Sequence, residues 1–150
     1  MINPQQIKQL REETGAGFSS IRAALAEADG NSARAKEILQ KMGIEIAAKK
    51  KSRVTPAGVV ESYIHHGGTI GTLIELRCET DFVARNPAFR ECAHDIAMHV
   101  AATNPPDIAA LLKKPFIKDE SKTVGEIIAT HASSFGEHVE IGRFIRYALE

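Results

Sequence analysis

A strand that runs into a short acidic and aromatic connection, and then into a helix start, constrains this chain most. Ile70, Thr72, Ile74, Leu76 and Cys78 alternate with Gly71, Leu73, Glu75 and Arg77, the period-2 pattern of a half-buried strand. Asn86 followed by Pro87 reads as a helix N-cap and first helical residue. Thr80-Asp81-Phe82-Val83 is thereby held on a tight turn between two rigid elements. A carboxylate and a phenyl ring on a braced turn suit pressing into a partner better than running chemistry. Two readings stay open for the tip. Phe82 plugs its own core while Asp81 caps the next helix, or both project toward a partner. Asn86 already fills the cap position, which leaves Asp81 without a local task.

The elements around this turn predict an α+β fold in two domains, residues 1–53 and 54–150. The first ~50 residues read as three short helices. Asn3-Pro4-Gln5-Gln6 supplies a cap, a first-turn proline and a capping-box glutamine, and Gly15-Ala16-Gly17 ends that helix. Phe18, Ile21, Leu25 and Ala28 mark one face of a second helix. Ala35, Ile38, Leu39 and Met42 mark a third, with Gly43 as the residue beyond its end. Each is too short to stand alone, so the three are expected to pack together. A basic segment with Lys49, Lys50, Lys51 and Arg53 follows, and Thr55-Pro56-Ala57-Gly58 breaks it.

The second domain opens with a hairpin, a strand at 59–65 and its return at 69–78 around His66-Gly67-Gly68. Phe89, Cys92, Ala93, Ile96, Ala97 and Val100 define an amphipathic helix ended by Asn104-Pro105-Pro106. A short helix lies near Ile108 and Leu111, and another carries Val124, Ile127, Ile128, His131 and Phe135. The last stretch, 139–149, puts Val139, Ile141, Ile145 and Tyr147 on one face of a third strand. The expected architecture is a three-stranded antiparallel sheet covered by helices.

Composition and motif searches remove several function classes. Lys+Arg and Asp+Glu are both 19, and this zero net charge argues against a nucleic-acid binder. Aromatic residues at 5% are too sparse for base-stacking platforms. No apolar run approaches the ~20 residues of a membrane span. The N-terminus has no basic region followed by an apolar stretch, so a cytoplasmic protein is expected. Cys78 and Cys92 both sit in apolar patterns and read as buried thiols rather than a disulfide, a nucleophile or a zinc pair. His65 and His66 point to opposite faces of a strand, and His94 and His99 are badly spaced for one ion, so no metal site and no cofactor are expected. Neither G-x-x-x-x-G-K-[ST] nor G-x-G-x-x-G occurs, so no direct nucleotide binding is expected. Partner contact is the main functional option left for the Thr80 turn, beside the core-plug reading.

Two segments together resemble the translation elongation factor Ts family. One is Leu10-Arg11-Glu12-Glu13-Thr14-Gly15-Ala16-Gly17-Phe18 followed by Ala24-Leu25, and the other is Glu75-Leu76-Arg77-Cys78-Glu79-Thr80-Asp81-Phe82-Val83-Ala84-Arg85. The likeness extends over nearly the whole chain, including Pro115-Phe116-Ile117-Lys118-Asp119 and Arg143-Phe144. The resemblance implies a guanine-nucleotide exchange factor for elongation factor Tu, without covalent chemistry. It implies that the three helices form a ubiquitin-associated-like unit whose Arg11, Phe18, Ser19 and Arg22 contact the partner. It implies that Thr80, Asp81, Phe82 and Val83 disturb the partner's magnesium site. Ser20, Ile21 and Ala23 replace the acidic, cysteine and lysine types common in the family. Longer members carry two related core subdomains, and 150 residues hold only one, which suggests a homodimer. A plain interaction module is the alternative reading, and an RNA-associated protein using Lys49 to Arg53 is a third.

Overall fold

A computed structural model describes residues 2–50 and 53–149. The chain divides into two compact units, Met1–Ser52 with Ala129–Glu137, and Arg53–Ile128 with His138–Glu150. The units are therefore not two consecutive segments.

The first unit holds α1 (Pro4–Thr14), α2 (Phe18–Glu27) and α3 (Ser32–Lys50). Asn3 caps α1 with its side chain, and Gln6 answers back to the Asn3 backbone as the sequence foretold. Gly15 ends α1 at φ 67°, a left-handed conformation that glycine reaches at low cost. A Cβ there would lie 3.5 Å from Cβ of Ser134 within the same unit. Leu10, Ile21, Leu25, Ala35 and Leu39 form the core, with Ile7 and Ile38 packed against it. Phe18 departs from the expected stripe and is exposed, because it is the first residue of α2 and points off the end of the packed face. Gly43 does not end α3, which runs on to Lys50. Ala47, Ala48, Lys49 and Lys50 are strong helix formers, and they outweigh the ~1 kcal/mol that an interior glycine costs relative to alanine. Lys51 of the basic run lies outside the described residues.

The second unit is built on β1 (Ala57–Ile64), β2 (Ile70–Cys78) and β5 (Glu140–Ala148), an antiparallel sheet in the order β1-β2-β5. Its inner face is covered by α5 (Pro87–Thr103). Thr72, Ile74, Leu76 and Cys78 point inward as their alternation requires. Opposite them lie Phe89, Cys92, Ala93, Ile96 and Val100, the stripe read from the sequence. Each large apolar side chain so buried contributes roughly 1.5–3 kcal/mol. Thr72 satisfies its buried hydroxyl by donating to the Ala97 carbonyl at 2.8 Å.

Strand β5 corrects one expectation. Phe144 pairs with Ile74, but Ile141 pairs with Leu76, so β5 carries one extra residue opposite Glu75. This bulge reverses the alternation. Ile141 faces the core, while Ile145 and Tyr147 face outward with Phe144 and Arg146 turned in. The four residues Val139, Ile141, Ile145 and Tyr147 therefore do not share a face. Gly142 sits in the bulge, where a Cβ would come within 2.7 Å of a Glu75 carboxylate oxygen.

Two elements were not foreseen. A one-turn helix, α4 (Asp81–Ala84), occupies the Thr80 turn. A small hairpin of β3 (Pro115–Phe116) and β4 (Asp119–Thr123) follows the short helix α6 (Ile108–Lys113). The helix α7 (Val124–Phe135) starts in the second unit and ends in the first. Thr123 and Glu126 cap its start reciprocally, at 2.7 and 3.2 Å. Among the described residues, no helix is long and apolar enough to cross a membrane.

Candidate functional site

The Thr80 turn is fixed from both sides. Cys78 is fully buried at the end of β2, and its thiol donates to the Thr80 carbonyl at 3.3 Å. Thr80 has extended backbone angles, and its hydroxyl accepts the Val83 N–H at 3.4 Å, so it is the N-cap of α4. Asn86 then accepts the Ala88 N–H at 2.9 Å and caps α5, with Pro87 in its first turn. The two caps leave only one turn of chain between them. Val83 and Ala84 are buried where α4 packs against β1, β2 and α5. Phe82 is 85% exposed and Asp81 is exposed beside it. The core-plug reading of Phe82 is thus overturned, and Asp81 does not cap α5. Asp81 instead occupies the first turn of α4, where a carboxylate suits the helix dipole.

The first unit presents a second aromatic tip. Gly17 begins α2 with extended angles and no side-chain cap, which leaves Phe18 at the helix start with 55% of its surface open. One turn on, the Arg22 guanidinium lies over the Phe18 ring at 5.9 Å from its centroid. Ser19 is exposed between them. Arg11 is exposed in the last turn of α1. The structure thus brings Phe18 and Arg22 into contact, with Ser19 alongside, and places Arg11 on the neighbouring helix.

Several polar and titratable groups of the second unit bond within the unit itself. Arg143 donates to Glu75 across the β5 bulge, and this bond, with burial opposing it, holds the Glu75 carboxyl below its usual range. Glu140 accepts the Thr55 hydroxyl proton, and that bond chiefly lowers its pKa, with His138 adding to the effect. His99 is fully buried on α5, stacked on Phe116, and its Nδ1 accepts the Ile117 N–H at 3.3 Å. Burial, and then the charge of Lys114, lower its pKa. Nε2 of His99 is buried without a hydrogen-bond partner among the described residues. Cys78 and Cys92 are buried thiols outside any disulfide. Desolvation, aided by Asp95 and Glu91, pushes the Cys92 pKa up to about 12, which keeps it protonated and inert.

The residues that make the outer face of the sheet apolar escaped the sequence reading. Val60, Ile64, Leu73, Ile145, Tyr147 and Leu149 are all exposed, and most of them line a shallow apolar groove over β1, β2 and β5. The signal was present, since Leu73 and Val60 are apolar at positions a water-facing strand face would fill with polar residues. The bulge hid the contribution of β5.

Exposed phenylalanines at two helix starts, Phe82 behind the Thr80 cap and Phe18 behind Gly17, are the kind of apolar anchor that protein interfaces use. The family described as "Elongation factor TS" matches residues 7–109 and again 79–150, so the Thr80 turn and α5 fall in both matches. The chain is 39% identical to an elongation factor Ts of Rubrobacter xylanophilus over 190 aligned positions, covering 97% of each protein. It is 35% identical to that of Solibacter usitatus over 193 positions, covering 99% of this chain and 91% of the relative. It is 39% identical to that of Koribacter versatilis, covering 99% and 88%. The chain belongs to the elongation factor Ts family. With 193 aligned positions against 150 residues, at least 43 positions of such a relative face no residue of this chain.

Proposed function

We propose that this chain is the guanine-nucleotide exchange factor of elongation factor Tu in the cytoplasm, and that Phe82 is its wedge. The observation that carries the reading is the contrast within α4: Phe82 is 85% exposed while Val83 is 5% exposed. An apolar ring left open on a turn that its own caps hold rigid is preorganised for a pocket on a partner. Burying that ring contributes on the order of 2–3 kcal/mol to binding. Asp81 holds or repels a polar group beside the pocket. Prising a partner loop or helix away from bound magnesium removes the ion that screens the phosphates, and GDP leaves.

No bond is made or broken in this scheme. The factor binds the nucleotide-free partner more tightly than the loaded one, and by linkage the nucleotide weakens the factor by the same ratio. Phe18, Ser19, Arg22 and Arg11 form the second contact with the same partner. Affinity for the complex then draws on two surfaces of one chain. Capture of elongation factor Tu on the immobilised chain, with and without excess GDP, tests the reading. Capture that GDP competes away supports exchange, and capture indifferent to GDP reduces the chain to a plain binding module.

A homodimer belongs to the same reading. The residues shared by both family matches, and the positions this chain lacks, fit a family that uses such a core twice where this chain has it once. A second copy supplies the other core. The exposed apolar face of the sheet, with Leu73, Ile145 and Tyr147, is the surface that a second copy covers.

A further inference from the structure

Strands β2 and β5 part just before the Thr80 turn. The last pair of their ladder is Arg77 with Glu140, the first residue of β5. Carrying this antiparallel register on by two residues places Glu79 opposite His138. At that position the backbone N–H of His138 donates to Oε2 of Glu79 at 3.0 Å. A side chain therefore stands where a strand carbonyl would accept. It ties β2 to the lead-in of β5 one residue before the Thr80 cap, while the backbone turns away into α4.

The far end of this bond is itself fixed. His138 is buried, and its Nε2 lies 3.2 Å from Glu140 Oε2. Oε1 of Glu140 accepts the Thr55 hydroxyl, and the Thr55 carbonyl accepts from Arg77 Nε at 3.0 Å. The bonds run from β2 through Thr55, Glu140 and His138 back to β2 at Glu79, all within the second unit. A closed circuit of this kind leaves the carboxylate little room to shift. A carboxylate accepting a part-buried backbone N–H is a strong, directional bond. Arg53 Nη1, 3.6 Å from Oε1 of Glu79 and half exposed, adds little. The residue before Glu79 acts on the same exit, since the Cys78 thiol donates to the Thr80 carbonyl. Two successive side chains thus hold the end of β2.

We propose that Glu79 is the positioning residue of the Thr80 turn, setting the angle at which β2 hands the chain to α4 and so the direction in which Phe82 is presented. This rests on the exchange reading for its purpose. A ring that must enter a pocket works only if its direction is set before the encounter. Without the carboxylate, α4 still forms and Phe82 stays exposed, but the turn rocks on the end of the strand.

The test uses the full chain. In Glu79→Ala, amide hydrogen exchange should quicken at His138 and Val83 by about tenfold more than at Ile96 and Val100 in the core of α5. Glu79→Gln keeps an acceptor for the His138 N–H and should hold both amides near their wild-type rates. In GDP release from elongation factor Tu, the plateau rate at saturating factor should fall about tenfold for Glu79→Ala and recover in Glu79→Gln. Equal acceleration at all four amides, or none at Val83, overturns the proposal. So does an unchanged plateau in Glu79→Ala, or a Glu79→Gln chain as slow as Glu79→Ala. A wild-type chain that leaves GDP release at its spontaneous rate sinks the exchange reading instead, and the Val83 amide still decides whether Glu79 positions the turn.

Discussion

Phe82 and Val83 are consecutive residues of one helical turn and face opposite media: the ring of Phe82 is 85% exposed, and Val83 is 5% exposed in the core beneath it. The Thr80 cap and the Asn86 cap leave this turn no freedom to roll, so burial of Val83 and Ala84 forces Phe82 outward. The outward ring is a consequence of packing on its own far side.

The cap on this turn is therefore expected to matter more for exchange than for stability. Thr80→Ala removes the acceptor for the Val83 N–H and costs about 1 kcal/mol locally. A melting curve should shift by roughly 2–4 °C, while GDP release slows about fivefold. Thr80→Ser keeps the acceptor and should restore the rate. An unchanged rate in Thr80→Ala would show that the cap does not hold the tip.

The outer sheet face predicts self-association. Tyr147→Asp places a charge at a position that is 70% exposed in the single chain, so the fold should survive. Light scattering at micromolar concentration should give a dimer mass for the wild type and a monomer mass for this variant. A monomeric wild type would remove the homodimer from the account.

His99 predicts an acid limb in stability. Its folded-state pKa is depressed below the ordinary 6.5 by burial and by Lys114. Above pH 6.5 the group is neutral in both states and its contribution is fully present. As pH falls below 6.5 the unfolded chain takes up a proton that the folded chain resists, so stability declines until the folded pKa is passed. Denaturant melts between pH 7.5 and 5 should show this decline, and His99→Gln should flatten it. The same slope in the variant would assign the acid limb to other groups.

Much of this molecule is legible in its sequence. The capping box at Asn3, the glycine end at Gly15 and the Asn86-Pro87 start are local chemistry, and all three occur as read. The inner face of β2 and the stripe of α5 follow from simple periods, because each element buries one side. What stayed hidden needs a partner element to exist. Phe82 was undecided between core and surface because period alone cannot say which side of a one-turn helix is covered. The phase of β5 depends on an extra residue opposite Glu75, which only pairing reveals. Gly43 looked like a stop, but a glycine ends a helix only where the chain turns left-handed, and here it does not. The contacts of the Glu79 carboxylate with Arg53 and with the His138 N–H bring together residues far apart in sequence, a convergence no local pattern encodes.

The wedge itself is tested most directly by stopped-flow release of labelled GDP from elongation factor Tu, comparing the wild-type chain with Phe82→Ala. The ring is exposed, so the variant should fold with an unchanged melting curve. Losing its burial in the partner should slow factor-stimulated release on the order of 30- to 150-fold. Release at the wild-type rate by a folded Phe82→Ala chain would contradict the account.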